Sequence, residues 1–190
     1  DWNGENVIAV WTDNSDDPSY PPGKAQDVLD YTYFGGIYRD CWLVSHNNIF
    51  ITDPNYENET AGGGLFVSFD KVSEQSAQLK LDAHIRNTSG KSFSGKIIYE
   101  LYDRDDKRVL SKETGLSVSK DLAKQISCKV TVETPHLWSP DSPYLYKLHI
   151  YIKDKAGNTI DGYYRRIGIR SIEFKGKDGF WLNGKPYPYP

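Results

Sequence analysis

Apolar and polar residues alternate one for one along most of this chain, and helical periodicity is nearly absent. Period-two patterning sends successive side chains to opposite faces of an extended backbone, so it commits a chain to half-buried strands. Leu79, Leu81, Ala83 and Ile85 alternate with Lys80, Asp82, His84 and Arg86. Tyr146, Leu148, Ile150 and Ile152 alternate with Lys147, His149, Tyr151 and Lys153. Similar segments lie at 6–11, 37–44, 47–52, 64–71, 95–103, 126–133 and 162–170. Turn-forming clusters separate them at Asn87–Gly90, Asp103–Asp106, Pro140–Pro143 and Lys155–Asn158. Strands at this spacing predict an all-β chain, an immunoglobulin-like antiparallel β-sandwich over residues 53–172.

That sandwich leaves both ends over. Residues 13–30, DNSDDPSYPPGKAQDVLD, read as a long polar loop with three prolines, and such a loop in a compact domain is more often functional than accidental. At the other end FWLNGKPYPYP offers a strand, an Asn183-Gly184 hairpin turn and the start of a return strand that stops at Tyr189-Pro190. The chain holds no Met, even at position 1, and so reads as processed or excised from a longer product. No apolar run approaches the ~20 residues that span a bilayer. Lys and Arg are dispersed under a net charge of −3, which leaves no nucleic-acid-binding face. Aromatics make up 14% of the residues, which suits sandwich cores first and carbohydrate binding second. Cys41 and Cys128 sit in apolar, strand-like contexts and read as two buried free thiols.

The motifs of several chemistries are absent. His46, His84, His136 and His149 show neither an i,i+4 pair nor a cysteine at zinc spacing. Gly62-Gly63-Gly64 precedes a strand rather than a helix, so it reads as a mobile interdomain loop and not a phosphate cradle. No Gly-x-Ser-x-Gly occurs. The 26 acids make a chance carboxylate pair unavoidable, and alternation sends most of them to solvent. Asn58-Glu59-Thr60 and Asn87-Thr88-Ser89 match a glycosylation pattern that is common by chance.

The stretch DYTYFGGIYRDCWLV, residues 30–44, is the densest in unusual features. Gly35 and Gly36 permit positive φ or close backbone approach. Arg39 and Asp40, as strand neighbours, point to opposite faces and need partners elsewhere, across a domain boundary or at a ligand. Asp30 either caps the turn that ends the polar loop or accepts sugar hydroxyls.

Gly36-Ile37-Tyr38-Arg39-Asp40, followed by Trp42-Leu43, resembles the G-I-[FY]-R-x-[VC]-x-L signature that closes the sugar-binding jelly roll of family 2 glycoside hydrolases. VTVETPHLWSPDSPYLYKLHIYI (130–152) is similar to that family's P-x-L-W-S-x-x-x-P-x-L-Y segment. RRIGIRSIEF (165–174) resembles its x-x-G-[FI]-R strand, and FWLNGKP (180–186) the x-L-N-G-K-P start of its catalytic barrel. The resemblance points to β-galactosidases, with β-glucuronidases and β-mannosidases as siblings.

It implies that residues 1–52 are the C-terminal part, with partial strands, of a jelly roll, that 53–172 are the sandwich, and that 173–190 are a hairpin leading into a (β/α)₈ barrel outside this chain. Both catalytic glutamates belong to that barrel, so the resemblance implies no catalytic residue here. It implies Asp30 as a galactose contact that shares a sodium in the intact enzyme. Sodium or magnesium would belong to that enzyme, with no cofactor or metal in this chain alone. It implies Gly35, Gly36, Arg39 and Asp40 as interdomain structural residues, with Tyr31, Tyr33, Phe34 and Trp42 burying area at the same junction. The partners it implies are a β-galactoside and the rest of the same polypeptide, with no nucleic acid and no membrane. Pro188-Tyr189-Pro190 departs from the Leu-Arg-Gly-type continuation of the family. Two other classes stay open. A free-standing carbohydrate-binding module would need exposed aromatics such as Tyr102 and Tyr151, and a purely structural immunoglobulin-like domain would need none.

Overall fold

A computed structural model describes residues 3–21, 23–31, 34–60 and 62–188. The chain divides into two compact units, Asp1–Val44 and Ser45–Pro190. Among its described residues the first unit holds one short 3₁₀ turn, Gln26–Val28, and no strand. The strands expected over 6–11 and 37–44 therefore do not form here. Alternation alone does not hold an extended chain, because each strand needs a neighbour to take its N–H and C=O groups, and this unit supplies none.

The second unit is the antiparallel sandwich. Its strands are β1 (Ile49–Ile51), β2 (Leu65–Asp70), β3 (Ser76–Asn87), β4 (Phe93–Tyr102), β5 (Arg108–Val118), β6 (Ala123–Glu133), β7 (Tyr146–Asp154) and β8 (Thr159–Ile167). In one sheet β6 runs along one side of β3, while β1 and β2 share the other side end to end. The second sheet has the order β5-β4-β7-β8. The interior follows the alternation: Ala77, Leu79, Leu81, Ala83 and Ile85 of β3 and Leu148, Ile150 and Ile152 of β7 are buried. Ile97, Tyr99 and Leu101 of β4 and Ile126, Cys128, Val130 and Val132 of β6 join them. Each fully buried Leu or Ile contributes roughly 1.5–3 kcal/mol of transfer free energy.

β5 was not foreseen. Only Leu116 and Val118 of its residues are buried, so it lacks a period-two signal and owes its extension to pairing with β4 from Phe93↔Val118 to Tyr102↔Arg108. The Gly62–Gly64 run is not an interdomain loop. The chain leaves the edge of the first sheet after Thr52 and rejoins it at Gly64, because Thr52 N–H donates to the His84 carbonyl (3.0 Å) and His84 N–H to the Gly64 carbonyl (2.8 Å). The buried Thr52 hydroxyl accepts the Gly64 N–H at 2.8 Å. Gly64, at φ 60°, packs against Pro54, whose Cδ would lie 2.8 Å from any added Cβ. Within the excursion is a single helical turn, α1 (Pro54–Glu57), capped by the Asp53 carboxylate, which accepts from the N–H groups of Asn55 and Tyr56. The Arg86 guanidinium donates twice to Glu57, a bond that holds this carboxyl below its ordinary value.

After β8 the chain forms a three-stranded sheet, β9 (Ile172–Phe174), β10 (Phe180–Leu182) and β11 (Lys185–Pro186). Asn183 and Gly184, at φ 52° and 73°, make the expected hairpin turn, since a tight turn that matches strand twist requires positive φ at both positions. Tyr189 and Pro190 lie outside the described residues. Among the described residues no helix is long and apolar enough to cross a membrane.

Candidate functional site

Three of the four signature segments converge on Trp138. Its backbone N–H donates to the Ile169 carbonyl at 2.8 Å, which ties the segment before β7 to the one after β8. Gly168 lies beneath the indole: a Cβ there would meet ring carbons of Trp138 at 2.8 Å, so only glycine allows this approach. The Arg170 guanidinium sits over the ring, 4.9 Å from its centroid, and donates to the Gly168 carbonyl at 3.2 Å. Asn183 of the hairpin turn completes the junction. Its Nδ2 donates to the Trp138 carbonyl at 3.0 Å, and its Oδ1 accepts the Ser171 N–H at 3.1 Å. Leu-Trp-Ser, Gly-Ile-Arg and Leu-Asn-Gly-Lys-Pro are thus parts of one structural joint that fixes the terminal hairpin on the sandwich. Beside it lies a cleft of about 450 Å³ lined in part by Glu74, His136, Asp141, Asn183, Lys185 and Tyr187.

The fourth signature lies in the first unit. Gly35 supplies close approach, since a Cβ there would come within 2.4 Å of the Asn14 side chain, whereas Gly36 supplies positive φ, +87°, in open space. Asp30 is exposed, two residues past the 3₁₀ turn. No described residue donates a hydrogen bond to it, so the turn-capping alternative finds no bond here. In the polar loop Asp13, Asn14, Ser15, Asp17, Tyr20, Pro21 and Lys24 line a cleft of about 420 Å³. Asp30 is not among the lining residues. Asp13 and Asp17 instead hold the loop, and the hydroxyl and N–H of Ser15 and Ser19 keep their carboxyls below the ordinary value.

Arg39 and Asp40 are exposed and not in a strand, so the opposite-face expectation does not apply; the Arg39 guanidinium lies 5.6 Å from the Tyr38 ring centroid. Tyr31, Phe34 and Trp42 are exposed, for want of a sheet within this unit to pack on, and Tyr33 lies outside the described residues. Both cysteines are free, but only Cys128 is buried; Cys41 is exposed. Among the described residues no three His, Cys, Asp or Glu side chains gather to hold a cation.

The acids do more than solubilise. Asp103 and Asp154 accept backbone N–H groups within the β4–β5 and β7–β8 turns. Asp161 of β8 accepts the Ile51 N–H of β1 at 2.8 Å, a bond between the two sheets, and burial raises its carboxyl. Asp82, expected on the wet face, is buried: burial opposes its ionisation, but bonds from Ser127 and Lys80 prevail and hold it low. Asn87 is buried and donates to the carbonyls of Lys91, Val118 and Ser119, which makes it a structural amide rather than a glycan acceptor.

The outer face of the second sheet carries the aromatics in question. His149 joins Tyr102 and Tyr151, with Tyr164 alongside. Tyr102 and Tyr164 meet the imidazole at 70° and 65°, so these rings stand edge-on to it and form no flat platform for a sugar face. Pairing across β4, β7 and β8 created this cluster, and alternation within single strands did not reveal it.

Residues 64–170, more than half of the chain, match the model of the glycosyl hydrolases family 2. A β-galactosidase of Thermoanaerobacter pseudethanolicus is 33% identical over 97% of this chain and 22% of its own length. A β-glucuronidase of Formosa agariphila is 30% identical over 95% of this chain and 19% of its own length. The crystal structure of a Bacteroides uniformis β-glucuronidase superposes with a TM-score of 0.71 at 28% identity, covering 84% of this chain and 19% of that one. The chain therefore spans about a fifth of the length of these relatives. With a matching model over the sandwich and relatives aligned along nearly its whole length, the chain belongs to the glycosyl hydrolases of family 2.

Proposed function

We propose that this chain is a non-catalytic, sugar-completing part of a retaining β-galactosidase-type enzyme that hydrolyses terminal β-D-galactosides. The observation that carries this reading is the joint at Trp138, in which Gly168, Arg170 and Asn183 fix the hairpin that precedes the barrel in the family. The 33% identity to a β-galactosidase favours galactosides; the 30% identity to a β-glucuronidase makes a glucuronide-cleaving enzyme the second reading. In the intact enzyme one barrel glutamate attacks the anomeric carbon while the other protonates the leaving oxygen. Residues 1–52 act as the last part of the jelly roll, and Asp30 reaches into the galactose subsite, where sodium would need further ligands from outside this chain. Gly35, Gly36, Arg39 and Asp40 hold that segment at the domain boundary. A single charged contact is worth only about 1.5–3 kcal/mol, so the isolated chain binds galactose negligibly.

The test is turnover of chromogenic β-galactoside and β-glucuronide by the purified 21.7 kDa chain and by the longer enzyme that contains it. The expected result is no turnover by the short chain, and galactoside hydrolysis by the long one that Asp30→Ala weakens through KM. Turnover at 21.7 kDa would overturn the non-catalytic role, and preference for the glucuronide would move the assignment to the sibling activity.

A further inference from the structure

Sheet edges are normally guarded against pairing by Lys, Pro, a bulge or shortness. β2 has no Lys, Pro or bulge, and its one charged residue, Asp70, is its last. Leu65, Phe66, Val67 and Phe69 make four of its six residues apolar, and Lys, Arg and Pro are missing from it. Phe66 on its outer face is 60% exposed. β3 occupies one side of β2, and among the described residues nothing pairs with the other.

Leu65, Val67 and Phe69 point inward at period two and pack against the core. Across from them β8, the edge of the second sheet, and the segment after it complete an open groove of about 240 Å³ lined by Arg165, Arg166, Ile167, Gly168 and Arg170. Its charge is all of one sign. Arg165 donates to the Tyr163 hydroxyl at 2.6 Å and lies 5.6 Å from that ring's centroid, while Arg170 is held over Trp138. Among the described residues none of the three arginines is paired with a carboxylate. A guanidinium has five donors in a rigid fork, and one clamped on an aromatic ring is already oriented for an incoming oxyanion.

We infer that β2 is the docking edge for one further strand of the same polypeptide, an extended segment whose inward residues alternate apolar side chains with a carboxylate that meets Arg165 and Arg170. The inference rests on the chain being part of a longer family 2 enzyme, whose relatives are about five times its length. Strand addition satisfies the unpaired backbone row of β2, the period-two apolar comb and the arginines together. An acidic sugar would satisfy only the last.

Titration of the ¹⁵N-labelled chain at low salt tests this with a short synthetic peptide in which every second residue is in turn valine and glutamate, with threonine between them, so that one strand face carries both; its counterpart with lysine for glutamate and D-glucuronate are the comparisons. The expected result is saturable shifts confined to the amides of Leu65–Asp70 and of residues 163–170, with the lysine peptide at least about fivefold weaker. Arg165→Glu should reverse that preference, and Arg165→Gln should reduce it. Equal binding of both peptides, or shifts elsewhere, would overturn the inference. Shifts with glucuronate but neither peptide would make the groove a small-anion site. Self-association through the same amides without peptide would assign it to a second copy; either result overturns the docking strand. A chain that turns over galactoside yet binds the peptide would lose only the functional reading; an inert chain that binds neither peptide would lose only the docking edge.

Discussion

Asn183 fixes the terminal hairpin in two separable ways, and substitution there measures each. Its backbone sits at φ 52°, and its side chain bridges the Ser171 N–H and the Trp138 carbonyl at 3.1 and 3.0 Å. Asn183→Gly keeps the turn conformation and deletes both bonds. At about 1 kcal/mol net for each, the hairpin loses about 2 kcal/mol of docking free energy. Asn183→Ala deletes the same bonds and leaves a Cβ at positive φ without the polar side chain that lets asparagine tolerate it, which costs about 1 kcal/mol more than in the glycine variant. Native-state hydrogen exchange reads the difference at the Tyr187 amide, bonded to the Phe180 carbonyl, and the Lys175 amide, bonded to the Gly179 carbonyl. Exchange should quicken roughly thirtyfold in the glycine variant and a further fivefold in the alanine variant. Core amides of β3 should keep their protection, because the three-stranded sheet opens as a local unit. Unchanged exchange in Asn183→Gly would refute the bridging role of the amide. Equal exchange in the two variants would refute the cost assigned to the backbone.

Three further substitutions test the sandwich. Tyr99 is fully buried and its hydroxyl has no partner among the described residues, so Tyr99→Phe should raise stability by about 1 kcal/mol; a fall in Tm would reveal a partner for that hydroxyl. Gly95 lies where an added Cβ would fall 2.1 Å from the Lys153 carbonyl oxygen, and Gly95→Ala should cost about 3 kcal/mol or more, seen as a lower urea midpoint at unchanged m-value. Asp161 is raised by burial, against the Ile51 and Gly162 N–H groups and the nearby His46 that lower it. A raised value means its contribution is present in full below the unfolded value near pH 4 and is lost as pH rises through the folded one. Asp161→Asn, which keeps an acceptor for Ile51, should therefore match or exceed the parent in Tm at pH 7 and lose that advantage as pH falls below about 4; a parent more stable at pH 7 would refute the sign.

The strands that face a core were legible because burial imposes period two on them, as β3 and β7 show residue by residue. The misreadings fall where that link is cut. β5 is an edge strand with most side chains in water, so pairing made it a strand without any constraint on its pattern. Residues 6–11 and 37–44 carry the pattern but find no ladder within Asp1–Val44. Gly62–Gly64 looked like a hinge because glycine announces freedom without saying whether a turn will use it; here Pro54 and Thr52 fill the space a side chain would need.

The site was legible as a signature and illegible as a mechanism for a related reason. Nothing local in Leu137-Trp138-Ser139 says that its tryptophan needs a glycine below, an arginine above and an amide beside it. Those three, Gly168, Arg170 and Asn183, come from 30 to 45 residues later in the chain. Asn183 also does a second task with its own local cause, since it adopts positive φ in a tight turn. A residue fixed by two unrelated demands tolerates few replacements, since a substitution that meets one demand fails the other. Glycine at 183 would suit the turn and lose the bridge; glutamine would carry the same amide but not the short side chain that tolerates positive φ. The joint that positions the hairpin is therefore a part of this chain in which sequence is little free, and the exchange measurements on Asn183 test that constraint directly.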